Sequence, residues 1–322
     1  MGRIAFVFPG QGSQAVGMGE ALATAYPVAA ATFAEADAAL GEPLSRLAFG
    51  GPAEELDRTQ NAQPALLATS IAYLRALSAS LAAAGRPPLE PVFCAGHSMG
   101  QYSALVAAGV ISLGDGVRLV RERGLVMQAS GRDGAMAAVI GLDDARLPEL
   151  LAIGRAQGVF GVANRNSPGQ IVVSGERAAV EAAAEAARGL GAKRAIVLPV
   201  SVAAHSPLMA DAAEGMRGVL AGVAFADPAV ALLANADAHA LTSGEACRAE
   251  LVEHLTTGVD WVAAVEAMAA AGVTSFIEVG PGRVLTGLIK RIVPDLDAVA
   301  LDDPSALGRL AIPELDAVGA SA

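Results

Sequence analysis

The sequence predicts an α/β protein built on a parallel sheet, with a small second unit inserted in its middle. Three observations predict it. Short apolar runs, Arg3 to Phe8 (RIAFVF), Pro91 to Ala95 (PVFCA) and Ser275 to Val279 (SFIEV), read as strands covered on both faces. Ala-rich stretches between them suit helices packed closely on a sheet. Between about residues 131 and 199 the texture changes to shorter elements in the order βαββαβ.

The first strand stops at Pro9-Gly10, and from Gly19 the chain turns helical (GEALATAYPVAAATFAEADAAL). Gln63 to Ala84 reads as one long, largely buried helix. The PVFCA strand runs directly into GHSMG, and Gln101 to Ala108 and Val117 to Ala129 are helical. In the middle segment, Ala135 to Ile140 is a strand and LDDARLPELLAIGRAQG a helix. Val159 to Ala163 and Gln170 to Ser174 are strands around the turn NRNSPG. Glu176 to Gly189 is a helix and Lys193 to Val200 a strand. That order is the ferredoxin-like split βαβ pattern. The expected division is a discontinuous large domain, 1–130 and 200–322, around a small domain, 131–199. The large domain resumes with strands at Val230 to Asn235 and Ser275 to Val279, and helices at Glu250 to Leu255 and Val262 to Ala271. The terminal run ALGRLAIPELDAVGASA is expected to fray.

Composition supports a folded chain. Of 322 residues, 53% are apolar and 17% charged, enough for a large core and too few charges for disorder. The net charge of −11 speaks against a general nucleic-acid binder, which needs a basic face. Cys94 and Cys247 have no metal-site spacing, and Cys94 reads as a small core residue. The N-terminus lacks a signal-peptide pattern, and no apolar stretch reads as long and unbroken enough for a bilayer. The expectation is a cytoplasmic protein with neither membrane nor nucleic-acid partner, and with no metal or permanently bound cofactor.

Ser98 lies at the centre of G-x-S-x-G (Gly96 to Gly100), between a strand and a helix. Small residues on both sides allow a tight elbow that exposes the hydroxyl, and the helix N-terminus behind it favours developing negative charge. A serine nucleophile needs a base. His97 is adjacent but diverges at an elbow and reads as structural, and His239 reads as a solvent-loop residue. His205 follows the Lys193 to Val200 strand, where open α/β sheets gather their active sites. Position favours it over His254, near the end of a helix.

Several further stretches occur in order along nearly the whole chain: FPGQGSQ (Phe8 to Gln14), QPALLA (Gln63 to Ala68), GHSMGQYSAL (Gly96 to Leu105) and RERGLVMQ (Arg121 to Gln128). They continue with NRNSPGQIVVSG (Asn164 to Gly175), SVAAHSPLM (Ser201 to Met209) and EVGPGRVLTGLIKRI (Glu278 to Ile292). With these motifs the sequence resembles malonyl-CoA:acyl carrier protein transacylases and the related acyltransferase domains of polyketide synthases. The resemblance implies an α/β-hydrolase-like large domain with a parallel sheet core and an inserted ferredoxin-like small domain. It implies Ser98 as acylated nucleophile, His205 as base then acid, and an oxyanion hole from the backbone N–H groups of Gln11 and Met99. It also implies that Arg123 holds the malonyl carboxylate, a choice the sequence alone does not make among Arg118, Arg121 and Arg123. Gln63, Asn166 and Ala204 are expected to line the pocket. The implied substrates are malonyl-CoA and the phosphopantetheine thiol of holo acyl carrier protein, in fatty-acid or polyketide synthesis, with the enzyme a monomer. An acyl-carrier-protein hydrolase is the competing reading, against which Arg123 speaks.

Three positions depart from the pattern. His254 stands where glutamine is common; there a backbone carbonyl orients the catalytic histidine, and a carbonyl survives substitution. Gln101 stands where glutamate is usual, with a small expected effect. Ala204 precedes His205 and leaves room for an α-branched acyl group, so methylmalonyl is an alternative donor. Lys193-Arg194 and Lys290-Arg291 are compact basic pairs in an acidic chain, expected to dock the acidic carrier protein, with Arg283 a weaker candidate.

Overall fold

The structure, a computed structural model, describes residues 2–130, 133–200 and 202–310. Ser201, the domain boundary at residue 131 and most of the run expected to fray lie outside the described residues; the first five residues of that run, 306–310, belong to helix Pro304–Leu310.

The strands in chain order are β1 (Arg3–Phe8), β2 (Phe93–Gly96), β3 (Gly134–Ile140), β4 (Phe160–Ser167), β5 (Gln170–Glu176) and β6 (Arg194–Val197). They continue with β7 (Ala231–Leu233), β8 (Ala240–Leu241), β9 (Val259–Asp260), β10 (Val273–Val279) and β11 (Asp297–Leu301). One sheet has the order β11-β10-β1-β2-β7-β8, parallel except where β8 returns beside β7. β1 is central: Phe6, Val7 and Phe8 meet side chains from both sheet faces and are buried, as its unbroken apolar run requires. Helix Thr59–Ala83 packs on one face within the main core, and helices Trp261–Ala270 and Val284–Ile292 pack on the other.

The second sheet has the order β6-β3-β5-β4-β9. β3 to β6 with helices Leu147–Arg155 and Arg177–Gly189 give βαββαβ, with a core of its own around Leu150, Phe160 and Val173. Two features differ from the sequence reading. β4 runs on through Asn164 and Asn166 to Ser167, because register shifts against β5 absorb the polar residues expected to form the turn. β9 follows helix Gly244–Thr257 and adds a parallel strand beside β4, so the first and second halves of the chain share this sheet.

Helix Thr59–Ala83 is long and apolar enough by composition to cross a membrane, contrary to the sequence expectation. In the fold, two thirds of its apolar window is buried against the sheet and neighbouring helices, including Gln63, Thr69 and Ser70.

Close backbone approach sets the elbow. A Cβ on Gly96 would lie 2.0 Å from the Gly100 carbonyl carbon, and one on Gly100 would lie 2.2 Å from the Phe8 oxygen. The glycines therefore let the start of helix Gly100–Ala107 touch the ends of β1 and β2. Gly100→Ala is expected to lower stability by about 1–3 kcal/mol, because the clash is with backbone that cannot rotate away. Urea unfolding checks it; an unchanged midpoint would mean that the contact yields without cost.

Candidate active site

Ser98 and His205 come from chain segments 107 residues apart and meet at the carboxyl ends of the parallel strands. Both adopt left-handed backbone, with φ of 53° and 60°, a region disfavoured for side-chain-bearing residues and found at functional sites. Ser98 Oγ lies 2.8 Å from His205 Nε2. His205 Nδ1 donates to the His254 backbone carbonyl at 2.6 Å, which fixes the proton on Nδ1 and leaves Nε2 to accept from the serine. The orienting group is a carbonyl and not a carboxylate.

Arg123, on helix Leu113–Ser130, is 1% exposed. Its Nη2 donates to Ser98 Oγ at 3.1 Å and to His254 Nε2 at 3.3 Å. Its Nε has no hydrogen-bond partner, and among the described residues no carboxylate lies within ion-pair distance of it. The structure thus separates Arg123 from Arg121, which pairs with Glu42, and from Arg118, which pairs with Asp115. A buried unpaired cation is costly unless a ligand supplies the counter-charge.

Burial and that charge act together on its neighbours. Burial and then Arg123 push His205 down to about 3, against the raising effect of the His254 carbonyl. His254 is held well below the usual histidine value by burial, then by Arg123. Both shifts favour the neutral imidazole, the state a base requires.

The elbow is held from behind. Ser98 N–H donates to Asn235 Oδ1 at 2.8 Å, and Asn235 N–H donates to Glu250 Oε1 at 2.6 Å. Burial pushes Glu250 up to about 7. Gln101 is fully buried: its Nε2 donates to the Leu233 carbonyl at 2.9 Å and its Oε1 accepts from Gly96 N–H at 3.3 Å. It ties β2 to β7, which a glutamate could do only when protonated, so its part is larger than the sequence suggested. Asn235 and Glu250 were missed by sequence reasoning. Asn235 follows directly after a strand end beside the elbow, and Glu250 sits one turn before His254; those positions were the available signals.

The remaining predicted residues fall as follows. Among the described residues, the backbone N–H groups of Gln11 and Met99 have no protein acceptor, whereas His97 N–H is taken by Phe8 and Ser98 N–H by Asn235. Gln11 leaves β1 through Gly10, where a Cβ would lie 2.6 Å from the His97 oxygen, so this loop lies against the elbow. Gln63 is buried, with Nε2 3.4 Å from Gln11 Oε1, and its own Oε1 is unpartnered. Asn166 Oδ1 accepts from His97 Nε2 at 2.9 Å, which occupies the histidine beside the nucleophile. Ala204, half-buried, packs with Met136, Ala163 and Val172 beside His205. His239 is exposed and bonded to Asp237. Among the described residues, no group of three or more His, Cys, Asp or Glu is placed to hold a metal.

The basic pairs converge at one end of the second sheet. Arg194 faces Ile140 across β6 and β3, and Ile140 faces Gln170 across β3 and β5. Arg291 Nη1 donates to Gln170 Oε1 at 2.6 Å, and Lys193 and Lys290 are exposed beside their partners. Arg283 is engaged with Asp302 and Asp303.

These groups set a pH dependence of stability. His97, His205 and His254 stay neutral in the fold but take up protons near pH 6.5 when unfolded, so acidification through that value favours unfolding. Glu250 acts oppositely: between 4.5 and about 7 the folded state holds a proton that the unfolded chain has lost, so acidification there favours folding. Glu278 shares that direction. Glu250→Gln removes an opposing contribution. Its melting temperature should fall more steeply from about pH 7 to about pH 5 than that of the wild type. Equal slopes would show that Glu250 is already ionised in the fold.

With this geometry in place, comparisons with known proteins are specific. Residues 5–305 match the family model for the acyl transferase domain. The chain is 49% identical over 309 residues to the malonyl CoA-acyl carrier protein transacylase of Escherichia coli K12, covering 95% of this chain and 98% of that one. Its structure is similar to that of an acyl carrier protein S-malonyltransferase from Vibrio cholerae, with a TM-score of 0.90, 44% identity, and coverage of 96% and 99%. It is equally close to a malonyl-transacylase solved in complex with its type II PKS acyl-carrier protein, with a TM-score of 0.89, 45% identity, and coverage of 95% and 97%. The chain belongs to the malonyl-CoA:acyl carrier protein transacylase family.

Proposed function

We propose that this chain transfers a malonyl group from malonyl-CoA to the phosphopantetheine thiol of an acyl carrier protein, by way of an acyl-Ser98 intermediate. The observation that carries the reading is Arg123: a buried guanidinium with no counter-anion among the described residues, 3.1 Å from the nucleophile. An acyl group bearing a free carboxylate supplies that anion; an acetyl group does not.

Ser98 Oγ attacks the thioester carbonyl carbon as its proton passes to His205 Nε2. Negative charge on the carbonyl oxygen falls to the Gln11 and Met99 N–H groups, and losing one such donor costs about 3 kcal/mol in comparable serine enzymes. Collapse breaks the C–S bond, and coenzyme A leaves with the proton from His205. In the second half, His205 takes the proton of the carrier thiol, sulfur attacks the ester, and collapse returns the proton to Ser98 Oγ. One covalent intermediate between two transfers dictates ping-pong order. The malonyl carboxylate also neutralises Arg123, which otherwise disfavours protonated His205. The base therefore gains proton affinity when the right acyl group is bound.

The reading docks the carrier at the end of the second sheet; what supports this is that Arg194, Gln170 and Arg291 form one row there. A concentrated basic end on a chain of net charge −11 suits an acidic partner that must be oriented.

Intact mass after brief exposure to malonyl-CoA tests the reaction. A malonyl adduct is expected on wild type, absent in Ser98→Ala, weak with acetyl-CoA and chased by holo carrier protein. An adduct lost equally fast to water would make the chain a hydrolase. Glu replacing Lys193, Arg194, Lys290 and Arg291 is expected to raise KM for carrier protein about tenfold and leave KM for malonyl-CoA unchanged. An unaltered carrier KM would remove the docking assignment.

A further inference from the structure

The transfer described above uses only the backbone carbonyl of His254, yet its side chain is fully buried against the site. His254 Nε2 lies 3.3 Å from Arg123 Nη2. A guanidinium donates and never accepts, so Nε2 must offer its lone pair. The ring proton then sits on Nδ1. Nδ1 has no hydrogen-bond partner, and Glu250 Oε1 stands 3.8 Å from it, one turn back on the same helix. Glu250, His254 and Arg123 thus form a buried row leading to the nucleophile.

Arg123 Nη2 has two hydrogens and directs one to Ser98 Oγ and the other to His254 Nε2. The first contact changes when Oγ becomes an ester oxygen. The second survives acylation. The Tyr102 ring, with its centroid 6.0 Å from the guanidinium carbon, bounds another side. A neutral acceptor suits this place: a carboxylate would pair with Arg123 and compete with the substrate's own, and an apolar side chain would leave Nη2 unheld.

We propose that the His254 side chain is a positioning residue for the carboxylate clamp, holding Arg123 toward the acyl group through both half-reactions as its neutral Nδ1–H tautomer, with Glu250 aligned behind it. The proposal rests on the malonyl-transfer reading. It gives the histidine two jobs on one residue, the carbonyl for His205 and the ring for Arg123. A glutamine at this position would offer an amide oxygen that can accept in the same way.

Two measurements test it. The first needs no substrate: nitrogen-15 spectra of the histidine rings in resting enzyme should show His254 as the Nδ1–H tautomer, shifting toward Nε2–H in Arg123→Met. An Nε2–H tautomer in the wild type would overturn the proposal. The second compares His254→Leu with His254→Gln, both of which keep the backbone carbonyl. The leucine variant should raise KM for malonyl-CoA about tenfold and reduce malonyl-over-acetyl selectivity by a similar factor, with kcat falling less than about threefold. The glutamine variant should recover most of both. A folded leucine variant with unchanged KM and selectivity, equal losses on malonyl-CoA and acetyl-CoA, or no recovery with glutamine would each overturn it. If the leucine variant fails to fold, the tautomer decides. A wild type that never transfers malonyl would refute the functional reading instead, and the tautomer would still decide the placement of Arg123.

Discussion

The site is organised around one uncompensated buried charge. Arg123 is 1% exposed, and among the described residues it has no carboxylate partner. Desolvating a guanidinium costs several kcal/mol unless strong interactions offset it. Here the offsets are partial: a serine oxygen, a histidine nitrogen and a tyrosine ring at a distance. The fold carries this cost, which the malonyl carboxylate proposed above would relieve. Burial first, and this charge second, push the neighbouring His205 and His254 toward the neutral form. The buried Glu250 stands behind His254, 3.8 Å from its Nδ1, and among the described residues it makes no ion pair with Arg123.

The second requirement is positional, and backbone supplies most of it. Gly96 and Gly100 let β1, β2 and the following helix approach to distances that a Cβ forbids. Ser98 is then forced into left-handed backbone, and the Asn235 side chain takes its N–H. The Met99 N–H, one residue on, has no acceptor among the described residues. The bond to Asn235 spends the Ser98 N–H on structure and leaves the Met99 N–H for the proposed oxyanion hole. Glu250 fixes Asn235 in turn, so one carboxylate supports both the elbow and the row behind Arg123.

Much of this was legible in the sequence because it depends on local pattern. Unbroken apolar runs marked β1 and β2, and the G-x-S-x-G between strand and helix marked the elbow. The βαββαβ order was readable from alternating short elements. What escaped depends on tertiary partners. β4 continues through Asn164, Arg165 and Asn166 because β5 and β9 pair with it, a context that overrides the turn signal of its polar residues. β9 itself is two residues long and has no periodicity to detect. Gln101 looked like a neutralised helix-start acid, but its amide bridges β2 and β7. Asn235 and Glu250 are ordinary residues in sequence and acquire their roles only when three distant segments meet. Choosing Arg123 among three arginines likewise required burial, since Arg118 and Arg121 are occupied by acids on their own surfaces.

The carbonyl behind His205 follows from the buried cation. Many serine enzymes place a carboxylate on the distal nitrogen of the histidine, where it stabilises the imidazolium. A carboxylate at the position of the His254 oxygen would sit on the same residue whose ring touches Arg123. It would draw the guanidinium into an internal ion pair and repel an incoming malonate. A carbonyl fixes the tautomer with no net charge and leaves Arg123 available. The resting His205 is a weak base because it is buried and, next, because Arg123 stands beside it; the carbonyl offsets part of that. In the proposed reading the missing stabilisation comes from the substrate, whose carboxylate would cancel Arg123 and make protonation of His205 easier. Selectivity for a dicarboxylic acyl group would therefore reside in the rate of acylation as well as in binding, because the same charge pair serves both.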